Sequence, residues 1–275
     1  MGAVTEIYWC DSTHNTHIGC QEVSEGCDNC YARIQSERWH QATWGDPKST
    51  IRVVTKDANW RKPVIWNKRV AEGDTNWNDK TWRAPVRPNT LRRLVFTNSL
   101  SDIFEHTAQL DPVRLRLWKL VEETPYLDWL LLTKRPQNVR RMIPQSWLQN
   151  PQPNVWLGTS VELQKYAETR IPYLLNVPAV VHFISAEPLL GPLNLRKWQW
   201  GLDWVITGGE SGAHHRPLDL DWVGDIDQQC RDARIAHFFK QVGGRTHAEG
   251  GCLLDGVEVK EFPRTRAPEP LRRAM

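Results

Sequence analysis

The sequence predicts an α/β protein in which a largely parallel sheet is covered by helices on both faces. The sheet is curled into a barrel or partial barrel, with a doubly wound open sheet as the other arrangement the pattern allows. Three observations predict this. Short runs that are apolar on both faces recur through the C-terminal two thirds of the chain. Helix-start signals separate them. The 275 residues, 40% hydrophobic and 24% charged, are enough for one large core without covalent staples.

The elements follow in order. Ile7-Tyr8-Trp9 is a candidate strand near the start, and a helix is expected to run through Trp39. Leu94-Val95-Phe96-Thr97-Asn98 is a buried strand closing on polar residues. Asp111-Pro112 opens a helix with a capping Asp and a first-turn Pro, and Val113, Leu117, Leu120 and Val121 share one face. Strand 128–133 precedes a polar helix from about Gln137. Strand 154–159 precedes a helix over Val161 to Leu175, with Ser160 as its N-cap and Pro172 bending or shortening it. Strands 180–185 and 204–207 come next. A helix after Asp221 places Trp222, Ile226 and Cys230 along one stripe, and strand 237–240 ends the series.

Residues 45–93 break the rhythm and are expected to form an insertion within a single domain spanning 1–275. They carry 12 Lys+Arg against 5 Asp+Glu, a net of +7, whereas the whole chain is +3. Trp60, Trp66, Trp77 and Trp82 are interleaved with those bases, a footprint suited to phosphate attraction and base stacking. The alternative is an irregular segment that buries its tryptophans and leaves its bases solvated. The Pro- and Arg-rich tail, 264–275, is expected to be loosely ordered. No run approaches the roughly 20 apolar residues of a membrane span, and Met1 to Cys10 lacks the pattern of a signal peptide, so a cytoplasmic protein is expected.

In parallel α/β proteins the ligand site forms at the carboxyl ends of the strands. Here those ends are polar in succession: Asn98, Ser99 and Asp102; Lys134 and Arg135; Ser160 and Glu162; Glu187; Gly208-Gly209-Glu210; and Lys240. Each alone is an ordinary cap or turn, but the repetition predicts one polar pocket. Cys20, Cys27 and Cys30 sit close in sequence after the first candidate strand and belong at the same end. Three thiolates are one short of a closed zinc site, so a fourth ligand from Cys10, His14 or His17 would be needed for structural zinc. Alternatively, three cysteines hold three irons of a [4Fe–4S] cluster and leave one iron open for S-adenosylmethionine.

The segment from Gly19-Cys20 to Cys27-Asp28-Asn29-Cys30-Tyr31-Ala32 resembles the signature of widespread phage and prophage proteins grouped with the radical SAM superfamily. Further blocks are similar: 97–104, 132–136, 156–162, 185–192, 208–212 and 239–241, which together span most of the chain outside 45–93. The resemblance implies a partial TIM barrel of the radical SAM type, with the cluster in the loop after the first strand. It implies that Cys20, Cys27 and Cys30 ligate the cluster, that S-adenosylmethionine is cleaved with an electron from an external reductant, and that hydrogen is abstracted from the substrate. Two departures stand out. The gap between Cys20 and Cys27 is longer than the superfamily's usual three residues, and Asn29 fills a position normally aromatic. Gly208-Gly209-Glu210 follows a late strand, not the second, so Glu210 is given a substrate role.

On this view Asn98, Ser99 and Asp102 meet the methionyl end of the cofactor, and Ser160 its ribose. Lys134 or Arg135 pairs with a carboxylate, Glu162 contacts substrate, and Glu187, Glu210 and Lys240 move protons. A nucleotide or DNA base is the expected substrate, with rearrangement of an amino-acid-decorated thymidine in phage DNA hypermodification as the concrete case and lesion repair as the second. A zinc-stabilised nucleic-acid-binding protein and a metal-free enzyme acting on a phosphorylated metabolite are the competing expectations.

Overall fold

The computed structural model describes residues 5–42, 44–76, 82–246 and 248–264. Trp77 and all but the first residue of the 264–275 tail lie outside them. Strand β1 (Ser12–His14) begins the main sheet, and β2 (His17–Ile18) pairs antiparallel with β3 (Val53–Val54) beside it. Helices α1 (Tyr31–Arg38) and α2 (Asp57–Ala71) lead to β4 (Arg93–Thr97). After this, strands and helices alternate: α3 (Asp111–Glu123), β5 (Leu127–Thr133), α4 (Pro136–Met142), α5 (Gln145–Gln149), β6 (Val155–Ser160), α6 (Gln164–Leu175), β7 (Val181–Ala186), β8 (Trp204–Thr207), α7 (Leu220–Ala233) and β9 (Ala236–Phe239). A hairpin of β10 (Leu253–Leu254) and β11 (Val257–Glu258) follows. The main sheet has seven strands in the order β1-β4-β5-β6-β7-β8-β9, every neighbouring pair parallel, curled into a half-barrel. Chain order and sheet order coincide, so each connection is a crossover to the next strand, as in a TIM barrel.

The strands' alternation divides the core in two. Outward residues such as Val95, Trp129, Leu131, Leu157, Ile184 and Val205 pack under the helices. Inward residues such as Leu94, Phe96, Leu130, Trp156, Phe183, Trp204 and Phe238 fill the concave side. Trp204 lies at the middle of this inner cluster, edge-on to Trp9, Trp156 and Phe238. Gly158 is also an inward position, and a Cβ there would run into the Phe183 ring, so glycine makes the room for that ring. The inner cluster closes the amino end of the half-barrel and leaves the carboxyl end open.

Several expectations shift. Ile7-Tyr8-Trp9 is not a strand; β1 is the more polar stretch Ser12-Thr13-His14, wholly buried, which apolar periodicity does not reveal. Trp9 instead folds into the inner cluster. Ser160 is the last residue of β6 and not a helix cap: Val161 still hydrogen-bonds to the Ser185 carbonyl, and α6 begins only at Gln164. Pro172 lies within α6 without ending it.

The largest correction concerns 45–93. Its helix α2 lies in the crossover from β1 to β4, and Trp60, Trp66 and Trp82 belong to the outer core at 4%, 4% and 1% exposure. Indoles so enclosed cannot stack on a base. The bases are not all solvated either: Arg87 and Arg92 clamp buried Asp128, and Arg52 pairs with buried Glu105.

Candidate active site

The carboxyl end of the sheet opens into a cavity of about 450 Å³. Its wall follows from the same alternation that builds the inner cluster. Inward positions run 130 and 132 on β5 and 134 just past it; 156, 158 and 160 on β6; 183 and 185 on β7 and 187 just past it; and 238 on β9 and 240 just past it. The apolar series therefore ends in Lys134, Ser160, Ser185, Glu187 and Lys240, all of which line the cavity. Cys20, Cys27 and Cys30 line it as well. Of the polar side chains singled out at the strand ends, Glu162 alone is missing from the cavity wall among the described residues.

Two carboxylates face the cavity in different states. Glu187 reaches the Lys240 ammonium at 2.8 Å, the Trp9 indole N–H at 3.0 Å and the Ser185 hydroxyl at 3.1 Å. Its partners hold it in place beside an ammonium able to give a proton. Glu210 is saturated: the Arg216 backbone N–H and guanidinium and the Asn29 amide all donate to it. Burial would raise its pKa, but the Arg216 and Asn29 hydrogen bonds outweigh that and hold the carboxyl below its usual range. Glu210 fastens Asn29, between Cys27 and Cys30, to the loop after β8.

Asn98 and Asp102 line the cavity and also bond the protein's own groups. Asn98 adopts a left-handed backbone (φ 62°), which removes it from the inward series. Its Oδ1 accepts from the Thr16 N–H at 2.9 Å and the Thr16 hydroxyl at 3.0 Å. Asp102 accepts from the Thr133 hydroxyl (2.8 Å), the backbone of Phe104 (2.9 Å) and Lys134 (3.1 Å), and Arg135 (2.9 Å). A carboxylate with its lone pairs occupied has little left for a ligand ammonium. Ser99 sits 3.0 Å from the Asn15 amide, and its carbonyl accepts from the Tyr31 hydroxyl at 2.8 Å.

What these groups hold is the cysteine loop, residues 20–30. Arg135 donates to the Cys20 sulfur at 3.7 Å and to the Gln21 carbonyl at 2.7 Å, while the Gln21 N–H bonds Glu105. Glu162 accepts from Ser24 at 3.0 Å, from Arg170 at 2.8 Å and from Lys134, so it is a loop anchor behind the wall and not a substrate contact. Burial would raise its pKa, and Lys134 and Arg170 reverse that and hold it ionised. Glu25 is held by Lys165 and Tyr166 of α6. The loop is thus fastened to the carboxyl ends of β5, β6 and β8.

The donor set suits a thiophilic metal group. All three cysteines are free and line one cavity. Cys30 is the N-cap of α1, where the backbone N–H groups of Arg33 and Ala32 favour negative sulfur. Burial nonetheless raises the Cys30 thiol, and it pushes Cys20 up to about 12 despite Arg135. These are thiols that a metal would deprotonate on binding. As the side chains stand, no three His, Cys, Asp or Glu among the described residues are gathered closely enough to grip a bare ion. Cys10, His14 and His17 are buried and do not line the cavity.

The molecule is thus an α/β half-barrel protein with a cysteine-lined cavity at its strand ends. The chain belongs to the family described as protein of unknown function (DUF5131), whose model matches residues 4–263. No curated protein and no solved structure matches it.

Sequence reasoning missed Asn29, Arg216, Gly26 and Trp9. Asn29 and Gly26 lie inside the cysteine block and carried a positional hint. Arg216 carried none, because only the fold brings it back to Glu210.

Proposed function

We propose that this protein is a radical SAM-type enzyme acting on a nucleotide or nucleobase. The observation that carries the proposal is that Cys20, Cys27 and Cys30 lie on the wall of the cavity formed by the polar strand ends. Three thiolates without a fourth protein ligand match the donor set of an open [4Fe–4S] cluster. With S-adenosylmethionine bound, such a group supplies a 5′-deoxyadenosyl radical for hydrogen abstraction. The protein's part is positional. Arg135, Glu162 and Glu210 hold the cysteine loop, and the Ser160 hydroxyl and the Lys134 ammonium face the bound molecules. Glu187 and Lys240 form the proton-transfer pair on the same cavity wall.

The nucleobase is supported by the cavity's aromatic lining. Tyr31 and Trp44 line it, and Tyr31 is 52% exposed, so stacking surfaces exist at the site itself. They take over the role expected of the buried tryptophans of 45–93. Rearrangement of a modified thymidine remains the specific substrate proposal.

The test is anaerobic purification with iron and acid-labile sulfide analysis, with and without Cys27→Ala. About four irons and matching sulfide per chain, lost in the variant, are expected. The next measurement is 5′-deoxyadenosine release with modified nucleosides. One zinc per chain and no sulfide would overturn the radical mechanism and leave a zinc-stabilised nucleic-acid-binding protein.

A further inference from the structure

Behind the cysteine loop lies a second cavity of about 600 Å³, set between α4 and α6. The two cavities share four lining residues, Gln21, Val23, Lys134 and Arg135, so the loop is the partition between them. Their charge is opposite in sense. Five acidic residues (Glu6, Glu22, Asp102, Glu187 and Glu210) and three basic ones (Lys134, Arg135 and Lys240) line the first. Four basic residues, Lys134, Arg135, Arg141 and Arg170, and one acidic residue, Glu105, line the second.

We infer that the α4/α6 groove binds the phosphodiester backbone of a single nucleic-acid strand whose target base enters the main cavity. The inference rests on the nucleotide reading of that cavity and extends it from free nucleotide to strand. Three features carry it. Arg135 and Arg170 are 6% exposed and paired with the buried carboxylates Asp102 and Glu162, so they make a rigid groove wall and leave Arg141 as its unpaired charge. Arg141 is exposed and has no carboxylate partner among the described residues; its one hydrogen bond is to the Asn138 side chain. Tyr166, Arg170 and Tyr173 fall at i, i+4 and i+7 on α6, one face of the helix, and Tyr173 is 53% exposed. The exposed Arg141 guanidinium and Tyr173 ring on this open groove provide a phosphate contact and a stacking platform together, the combination that retains single strands. A target base beyond the partition would already be unpaired, which avoids the cost of extruding it from a duplex.

The test uses the full-length protein and a fluorescein-labelled single-stranded DNA of about 12 nucleotides, with anisotropy followed over a salt series. Arg141→Glu is expected to weaken binding about tenfold and to lower the log–log salt slope by about 0.7, one phosphate contact on a single strand. Tyr173→Ala is expected to weaken binding about five- to tenfold with the slope unchanged. Lys68→Glu, the same charge change on an exposed lysine of the basic 45–93 segment, is expected to leave affinity within about twofold. Equal losses for Arg141→Glu and Lys68→Glu would overturn the inference, as would wild-type protein that does not bind the strand. If that protein still releases 5′-deoxyadenosine with free nucleoside, the groove inference fails and the reading of the main cavity stands.

Discussion

Gly26, inside the cysteine loop, offers the sharpest test of how the loop is held. A Cβ built there would meet Glu162 Cγ and Oε1 at 2.5 Å and Cδ at 2.8 Å. Glu162 has nowhere to retreat, because it is fully buried and tied to Arg170, Lys134 and Ser24. Gly26→Ala therefore forces either backbone displacement of the loop or loss of charged hydrogen bonds. Overpacking costs about 1–3 kcal/mol and a weakened charged hydrogen bond about 1.5–3 kcal/mol, so a loss of about 3 kcal/mol is expected. At this chain length that corresponds to a fall in Tm of about 6–10 °C. The assay is urea unfolding of four proteins: wild type, Gly26→Ala, Glu162→Ala and the double variant. In the Glu162→Ala background the obstacle is gone, and Gly26→Ala should then cost less than about 1 kcal/mol. A cost equal in both backgrounds, or a change below about 0.5 kcal/mol in the wild-type background, would refute the anchoring of the loop by Glu162.

Three further outcomes are expected. His14 and His17 are held near pKa 3, chiefly by burial, with nearby cations adding to the effect and Asp102 partly opposing it at His17. The unfolded chain protonates both near pH 6.5 while the folded chain does not, so stability falls as pH drops from 6.5 toward 3, by about 1.4 kcal/mol per pH unit per ring. Denaturation midpoints at pH 7 and 5.5 check this: His14→Phe should remove about half the drop, and a flat profile in the wild type would contradict it. Glu187→Gln keeps an acceptor for Trp9 but removes the carboxylate facing Lys240; substrate turnover should fall about 10²- to 10⁴-fold with the fold retained, and turnover within a few-fold of wild type would remove Glu187 from proton transfer. Trp60→Ala should cost about 3–5 kcal/mol of stability and leave oligonucleotide affinity unchanged, since the indole is core; the reverse pattern would return it to a binding role.

The strands from Leu94 onward were legible because buried parallel strands read as continuous apolar runs, and their polar ends located the cavity. Alternation then decided which end residues face inward: Lys134, Ser160, Glu187 and Lys240 continue their strands' inner series. What sequence could not convey was how the other polar residues are used. Asn98 leaves the series through a left-handed backbone, and Asp102, Glu162 and Glu210 turn to side-chain partners 6 to 181 residues away in the chain. Such pairings have no local signature. The tryptophans of 45–93 misled for a related reason: charge interleaved with aromatics describes a nucleic-acid surface and an amphipathic crossover helix equally well. In α2, Trp60, Pro63, Trp66 and Val70 are buried at helical spacing, and the flanking bases point elsewhere.

Because sheet order repeats chain order, the half-barrel is laid down strand by strand as the polypeptide is made. Cys30 and Lys240 are separated by 240 − 30 = 210 residues. At about 5–20 residues per second, the cysteines precede the final wall of their cavity by about 10–40 s. Glu162 and Glu210, which clamp the loop, arrive within that interval and in that order. The nascent chain therefore exposes its thiols early and encloses them late, and a ribosome stalled between β8 and β9 would hold a half-barrel with its cysteine loop fastened and its lysine still missing.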